Sequence, residues 1–216
     1  MSVQLHHGDA RQLEGIEPEG PYCIITDPVW PNVPEGMFDI DESPKALLKS
    51  VLLRFPNAKR VIVILRMDSD PRFLMAVPGR WPFFRTSILP YALPNYIGRK
   101  LGGLELAYWF GDNIKCVPGR RTAPGMAPKA QSGGTAKGHP CARNIDHMRW
   151  LVNWCSDPGE TVIDPFMGSG TTGVAAVESA RDFIGIEINQ DYFALAKSLI
   201  GEAQAQQRLP VFEVPA

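Results

Sequence analysis

Glu160-Thr161-Val162-Ile163-Asp164-Pro165-Phe166-Met167-Gly168-Ser169-Gly170-Thr171-Thr172-Gly173 is the stretch that decides the fold of this chain. A β-branched apolar run over residues 161–163 ends at an acid and turns through three glycines into small residues over 171–176. That pattern predicts a buried strand, a tight turn and the N-terminus of a helix. Glycines let a backbone pass close to a ligand and present N–H groups to it, so the turn is a candidate ligand cradle. A triphosphate-binding loop needs a lysine after its last glycine; Thr171 follows Gly170 here, which argues against nucleoside triphosphate chemistry. Gly168-Ser169-Gly170-Thr171-Thr172-Gly173 fits the dinucleotide pattern, and Glu187 supplies an acid at the end of a second apolar run. The motif is weak alone, and a turn that serves only close packing is the plainer alternative.

Composition sets the bounds. At 216 residues and 44% hydrophobic content, one domain with a real core is expected. The net charge of −1 gives no overall signature for nucleic acid, so such a partner must meet a local patch. Four cysteines, Cys23, Cys116, Cys141 and Cys155, show no metal or redox spacing, and no apolar leader opens the chain. Together these predict a cytoplasmic protein with reduced thiols, no bound metal and no membrane span.

Read in order, residues 3–7 form a short strand that runs into Gly8-Asp9. Residues 22–26 are an almost unbroken apolar strand of the kind buried in parallel sheets, and they end in Asp27-Pro28-Val29-Trp30-Pro31-Asn32. Polar residues at the carboxyl end of such a strand lie where open α/β sheets bind ligands, and Trp30 is expected to be exposed there. A proline turn over a core tryptophan is the competing reading. Residues 43–55 predict an amphipathic helix with Ser43 as N-cap and Pro44 at its first position. Strands follow at 60–65, 82–89 and 104–110, with a short helix opening at Asp70-Pro71 between the first two. Helices are predicted from about Ile145 to Cys155 and from Gln190 to about Ala205, with a strand at 183–188 between them.

From Asn113 to Ile145 there is no Asp or Glu, whereas Lys115, Arg120, Arg121, Lys129, Lys137 and Arg143 all fall inside. The segment is rich in Gly, Pro, Ala and Ser without apolar periodicity. Residues 113–138 therefore read as a flexible basic loop suited to a phosphate backbone, or as a solvated linker whose charge is incidental.

Asp27-Pro28-Val29-Trp30, His139-Pro140 and Asp164-Pro165-Phe166-Met167-Gly168-Ser169-Gly170-Thr171-Thr172 together resemble the S-adenosylmethionine-dependent DNA amino-methyltransferases. Their order is similar to that of the permuted beta group, in which the catalytic motif precedes the cofactor motif. The resemblance covers residues 3–32 and 139–203 well and the middle poorly. It implies a Rossmann-like α/β fold, a central, mostly parallel sheet with helices on both faces, in circularly permuted order. The strand at Thr161 is then expected beside the strand that ends at Asp27.

By resemblance, Asp27, Pro28 and Trp30 are the catalytic set. Asp164, Phe166, Gly168, Ser169, Gly170 and Thr171 would cradle the S-adenosylmethionine cofactor, with Asp27 bordering it, Glu187 on its ribose, Asp9 near its adenine, and His139 and Pro140 at its methionine end. DNA is the implied partner, contacted by Trp30, Arg120, Arg121, Lys129 and Lys137. The chain departs from the family at Val29, where a second proline is usual, and at Cys141-Ala142-Arg143-Asn144, where the family writes Thr-Gln-Lys-Pro. The Pro28 carbonyl survives the first change, but the stiffness that proline lends its predecessor does not.

The implied reaction is methylation of an exocyclic amine, with adenine N6 favoured, on a base taken out of the duplex. Cytosine N4, RNA adenine and a catalytically inactive relative are the alternatives within the resemblance, and a nicotinamide oxidoreductase is the alternative outside it. A family member carries a sizeable recognition region, for which residues 113–138 are a small substitute. Low or short-site specificity in a homodimer is therefore expected.

Overall fold

The computed structural model describes residues 1–32, 42–91, 95–97, 100–102, 104–114, 125–130 and 142–207. Five of the expected site residues, Arg120, Arg121, Lys137, His139 and Pro140, lie outside that set.

Strands β1 (Val3–His7), β2 (Tyr22–Thr26), β3 (Arg60–Arg66), β4 (Phe83–Leu89), β7 (Glu105–Gly111), β8 (Thr161–Asp164) and β9 (Asp182–Glu187) build one sheet in the order β1-β9-β8-β2-β3-β7-β4. From β1 through β3 every neighbouring pair is parallel, and β7 then runs antiparallel to both β3 and β4. β8 pairs with β2 as expected, Tyr22 opposite Thr161 and Ile24 opposite Ile163. A separate two-stranded hairpin, β5 (Asn95–Ile97) with β6 (Lys100–Gly102), was not foreseen from the sequence.

Alternation along the central strands feeds two cores. Cys23, Ile25, Ile62 and Ile64 face helices α2 (Ile145–Cys155), α3 (Thr171–Glu178) and α4 (Gln190–Gln207), whereas Tyr22, Ile24, Val61 and Val63 face α1 (Pro44–Leu52) and a 3-10 helix at Pro71–Ala76. Every residue of β2 is buried. That is why its sequence is continuously apolar rather than alternating.

Helix starts follow local chemistry. Ser43 accepts from the Ala46 N–H, Asp70 from Arg72 and Asn144 from Asp146, each satisfying a backbone donor that the helix leaves orphaned. The sequence predicts a flexible loop across residues 113–138, but residues 125–130 lie against the edge strand β4 and the turn after it. Ile88 donates to the Gly125 carbonyl, Ala127 to Ile88 and Ala130 to Pro90. An edge strand presents unpaired backbone groups, and this segment covers them. Among the described residues no helix is long and apolar enough to cross a membrane.

Candidate active site

The carboxyl ends of β1, β9, β8 and β2 lie side by side, and each ends at or just before an acid: Asp9, Glu187, Asp164 and Asp27. The glycine turn leaves β8 and enters α3. Gly168 and Gly170 both adopt left-handed backbone, with φ of 54° and 84°. A Cβ on Gly170 would sit 2.9 Å from the Ala196 Cα, so α4 packs against the turn where no side chain fits. Met167 donates to the Ile186 carbonyl and Gly170 to the Met167 carbonyl, which ties the turn to β9.

Asp164 is buried. It accepts from Thr172 Oγ1 at 2.6 Å and from the Phe166 N–H at 3.1 Å, so it braces the turn from within. Glu187 is buried too and accepts from the Gly168 N–H and the Asn189 N–H, both at 2.8 Å. Ser169 is buried, while Phe166 and Thr171 are half-buried at the rim. Asp9 is fully engaged with Arg11, whose guanidinium forks onto its carboxylate and holds the acid below its ordinary range.

Burial drives the other three acids the opposite way. It pushes Asp164 up to about 7, with the charges of Asp27 and Glu187 adding to the rise, and Asp27 up to about 6 despite a neighbouring arginine; Glu187 is raised as well. Acids held at a cost in one place favour a cationic ligand. The N-terminus of α3 has no side-chain cap, so its first N–H groups suit a carboxylate next to that cation.

Trp30 corrects the expectation of an exposed aromatic. It is only 7% exposed, because its indole N–H finds two acceptors inside, Asp27 Oδ1 at 2.9 Å and the Ile64 carbonyl at 3.2 Å. The turn beyond it is fastened by Asn32, which accepts from Ser69 Oγ at 3.0 Å. Rigidity lost with a second proline at Val29 is thus supplied by side-chain hydrogen bonds. Lys129 is exposed on the segment along β4.

Three residues escaped sequence reasoning. Arg143 places its guanidinium 4.4 Å over the Trp30 ring, donates from Nε to Asp27 Oδ2 and from a terminal nitrogen to Glu105 Oε1. Glu105 is buried at the start of β7 and also accepts from the Tyr91 hydroxyl at 2.7 Å. The sequence signals were that Arg143 falls in the basic segment and in the departure from the family pattern, and that Glu105 is a lone acid in an apolar strand.

A profile described as DNA methylase matches residues 29–198, most of the chain. The chain is 44% identical over 57 residues to the DNA adenine methyltransferase YhdJ of Escherichia coli (strain K12), an alignment that covers 26% of this chain and 19% of that one. It spans less than half the length of the curated relatives it matches. In fold it is similar to the M1.HpyAVI–SAM complex, with a TM-score of 0.67 at 22% identity over 92% of this chain and 99% of the other. It is also similar to the PvuII DNA methyltransferase (cytosine-N4-specific), with a TM-score of 0.64 at 17% identity over 99% and 89%. On the extent of the profile match and the strand ends it includes, this chain belongs to the N6/N4 DNA methylase family.

Proposed function

We propose that this chain transfers a methyl group from S-adenosylmethionine to an exocyclic amine of a DNA base, with adenine N6 as the target. The observation that carries this reading is the parallel pairing of β2 with β8, which sets Asp27-Pro28-Val29-Trp30 next to the glycine turn at the carboxyl end of the sheet. The identity to a DNA adenine methyltransferase over 57 residues supports adenine.

When bound, S-adenosylmethionine supplies an electrophilic methyl on a cationic sulfur. The buried acids Asp27 and Asp164 fit that cation and the adjacent ammonium, and the uncapped start of α3 fits the carboxylate. Gly168, Ser169, Gly170, Thr171 and Phe166 shape the cradle; Glu187, with one lone pair of each oxygen already on backbone, has the other for ribose hydroxyls. By the family resemblance, Asp9 would border the adenine end, and His139 and Pro140, which lie outside the described residues, would serve the methionine end.

An exocyclic amine is a poor nucleophile because its lone pair is delocalised into the ring. The Asp27 carboxylate and the Pro28 carbonyl accept its two N–H groups, favour a pyramidal nitrogen and aim its lone pair at the methyl. The work is orientation and electrostatics rather than strong base catalysis. Trp30 stacks on the extruded base. Arg120, Arg121, Lys129 and Lys137 meet phosphates from residues 113–138, the basic loop of a single methyltransferase domain over 1–216. With so small a recognition region, short-site specificity in a homodimer and a cytoplasmic setting complete the reading.

The test supplies methyl-labelled S-adenosylmethionine with duplex DNA, single-stranded DNA or RNA, digests the product and identifies the labelled nucleoside. N6-methyldeoxyadenosine from DNA is expected, and Asp27→Ala should abolish it while cofactor binding, held also by Asp164 and the glycine turn, is weakened but kept. Label in N4-methyldeoxycytidine, in RNA alone or in nothing would replace this reading with another member of the set.

A further inference from the structure

Arg143 enters the site just ahead of α2, and the methyl transfer described above does not use it. Its contacts are nonetheless those expected of the substrate. A guanidinium is a planar N–C–N group with N–H donors along its edge, the same shape as the amidine edge of an aminated base, whose exocyclic amine likewise donates N–H. Here it stacks on Trp30 at 4.4 Å and donates to Asp27 Oδ2. Trp30 is 7% exposed, its N–H is turned inward to Asp27 and Ile64, and it packs in the core cluster with Ile24, Val63 and Leu65. Two planar groups cannot share a face at that spacing.

We propose that Arg143 is a displaceable stand-in for the target base, filling the base pocket until an extruded base with an exocyclic amine takes over its contacts. The inference rests on the methyl-transfer reading, because it takes Asp27 and Trp30 as that pocket. Glu105 is the anchor of the stand-in: it takes the second branch of the guanidinium and is itself held by the Tyr91 hydroxyl. In the closed state one cation sits between two carboxylates, which spares the empty pocket two unpaired buried charges. On entry, the base must offer both a ring for Trp30 and an N–H for Asp27. A base without an exocyclic amine offers only the ring and leaves Asp27 Oδ2 without a donor. The exchange therefore selects aminated bases, and the released guanidinium becomes available to a phosphate.

The experiment compares the full chain with the Arg143→Ala/Glu105→Gln double variant, in which the second change avoids leaving two buried acids unpaired, and with Glu105→Gln alone. Steady-state methylation of unmethylated plasmid DNA is measured together with the NMR signal of the Arg143 Nε–H in the full chain. We expect KM for DNA to fall roughly tenfold or more in the double variant, the scale of one charge-assisted hydrogen bond plus a cation–π contact, with a smaller fall in Glu105→Gln. We also expect the Nε–H signal to shift when saturating DNA is added. A loss in kcat with KM unchanged would overturn the proposal and make Arg143 a positioning residue for Asp27. An Nε–H signal unmoved by saturating DNA would overturn it as well. A full chain that methylates no DNA but whose Nε–H signal shifts would uphold the stand-in and sink the proposed function, so the two failures read differently.

Discussion

At the scale of single residues, Asp27 is under two opposed demands. Its side chain is 20% exposed in a site crowded with other acids, and burial pushes its carboxyl up to about 6. The role proposed for it needs the ionised form, because only a carboxylate with free lone pairs accepts both its structural partner, the Trp30 indole, and an incoming amine. Arg143 partly offsets the burial by favouring the charged form. The expected consequence is a rate that follows ionisation. Log kcat/KM should rise with pH at a slope of one below about 6 and level off above it, since the protonated acid donates where it should accept. A pH–rate series on the full chain checks this, and an Asp27→Asn chain that kept both the rate and the inflection would contradict it. Asp164 differs in kind: with Thr172 Oγ1 and the Phe166 N–H already on its oxygens, it holds the turn together as well as charging the site.

At the scale of elements, the glycine turn shows what a sequence can and cannot declare. The strand, the turn, the helix start and the distal acid were all legible, because each is encoded within a few neighbouring residues by apolar runs, glycines and an acid. The strand that ends at Asp27 was legible for the same reason. The link from Arg143 to Asp27 spans 116 residues and that to Glu105 spans 38, and no local pattern carries such a pairing. Trp30 was misjudged as exposed because its acceptor Ile64 lies on another strand. The hairpin β5–β6 was missed because its strands are three residues each, too short for any period to register. The turn also yields a graded prediction. Gly159 and Gly170 share a φ of 84°, but a Cβ at Gly159 meets nothing within 4 Å, whereas at Gly170 it meets the Ala196 Cα and Cβ at 2.9 and 2.8 Å. Gly159→Ala should cost about 1 kcal/mol from the left-handed backbone alone. Gly170→Ala should cost about 2–4 kcal/mol, as the same strain is joined by overpacking against α4. Urea unfolding of the two variants measures the difference, and equal losses would mean that the turn and α4 separate freely.

At the scale of the whole molecule, the strand order denies either half of the chain a sheet of its own. β8 is flanked by β9 on one side and by β2 on the other, and β9 in turn by β1, so the strands carrying the glycine turn and Glu187 are both completed by the first 26 residues. The core on one face is equally mixed, with Cys23 and Ile25 from β2 packed among Met148, Leu151, Ala175 and Ile200 from the helices of the second half. A cut through the middle would therefore leave β8 and β9 each with one unpaired edge. One cooperative unfolding transition is expected, with tryptophan fluorescence and far-ultraviolet circular dichroism coincident. The tryptophans are placed to report it, since Trp30 and Trp81 lie in one core and Trp109 and Trp150 in the other. S-adenosylmethionine at about 100 times its Kd should move that single transition by about 2.7 kcal/mol without splitting it, because ligand binding to the folded state alone acts on the whole cooperative unit. Two separated transitions, with only one moved by the ligand, would show that the cofactor strands fold apart from the strand bearing Asp27. The adjacency on which methyl transfer depends would then be a docking of two units rather than a property of one sheet.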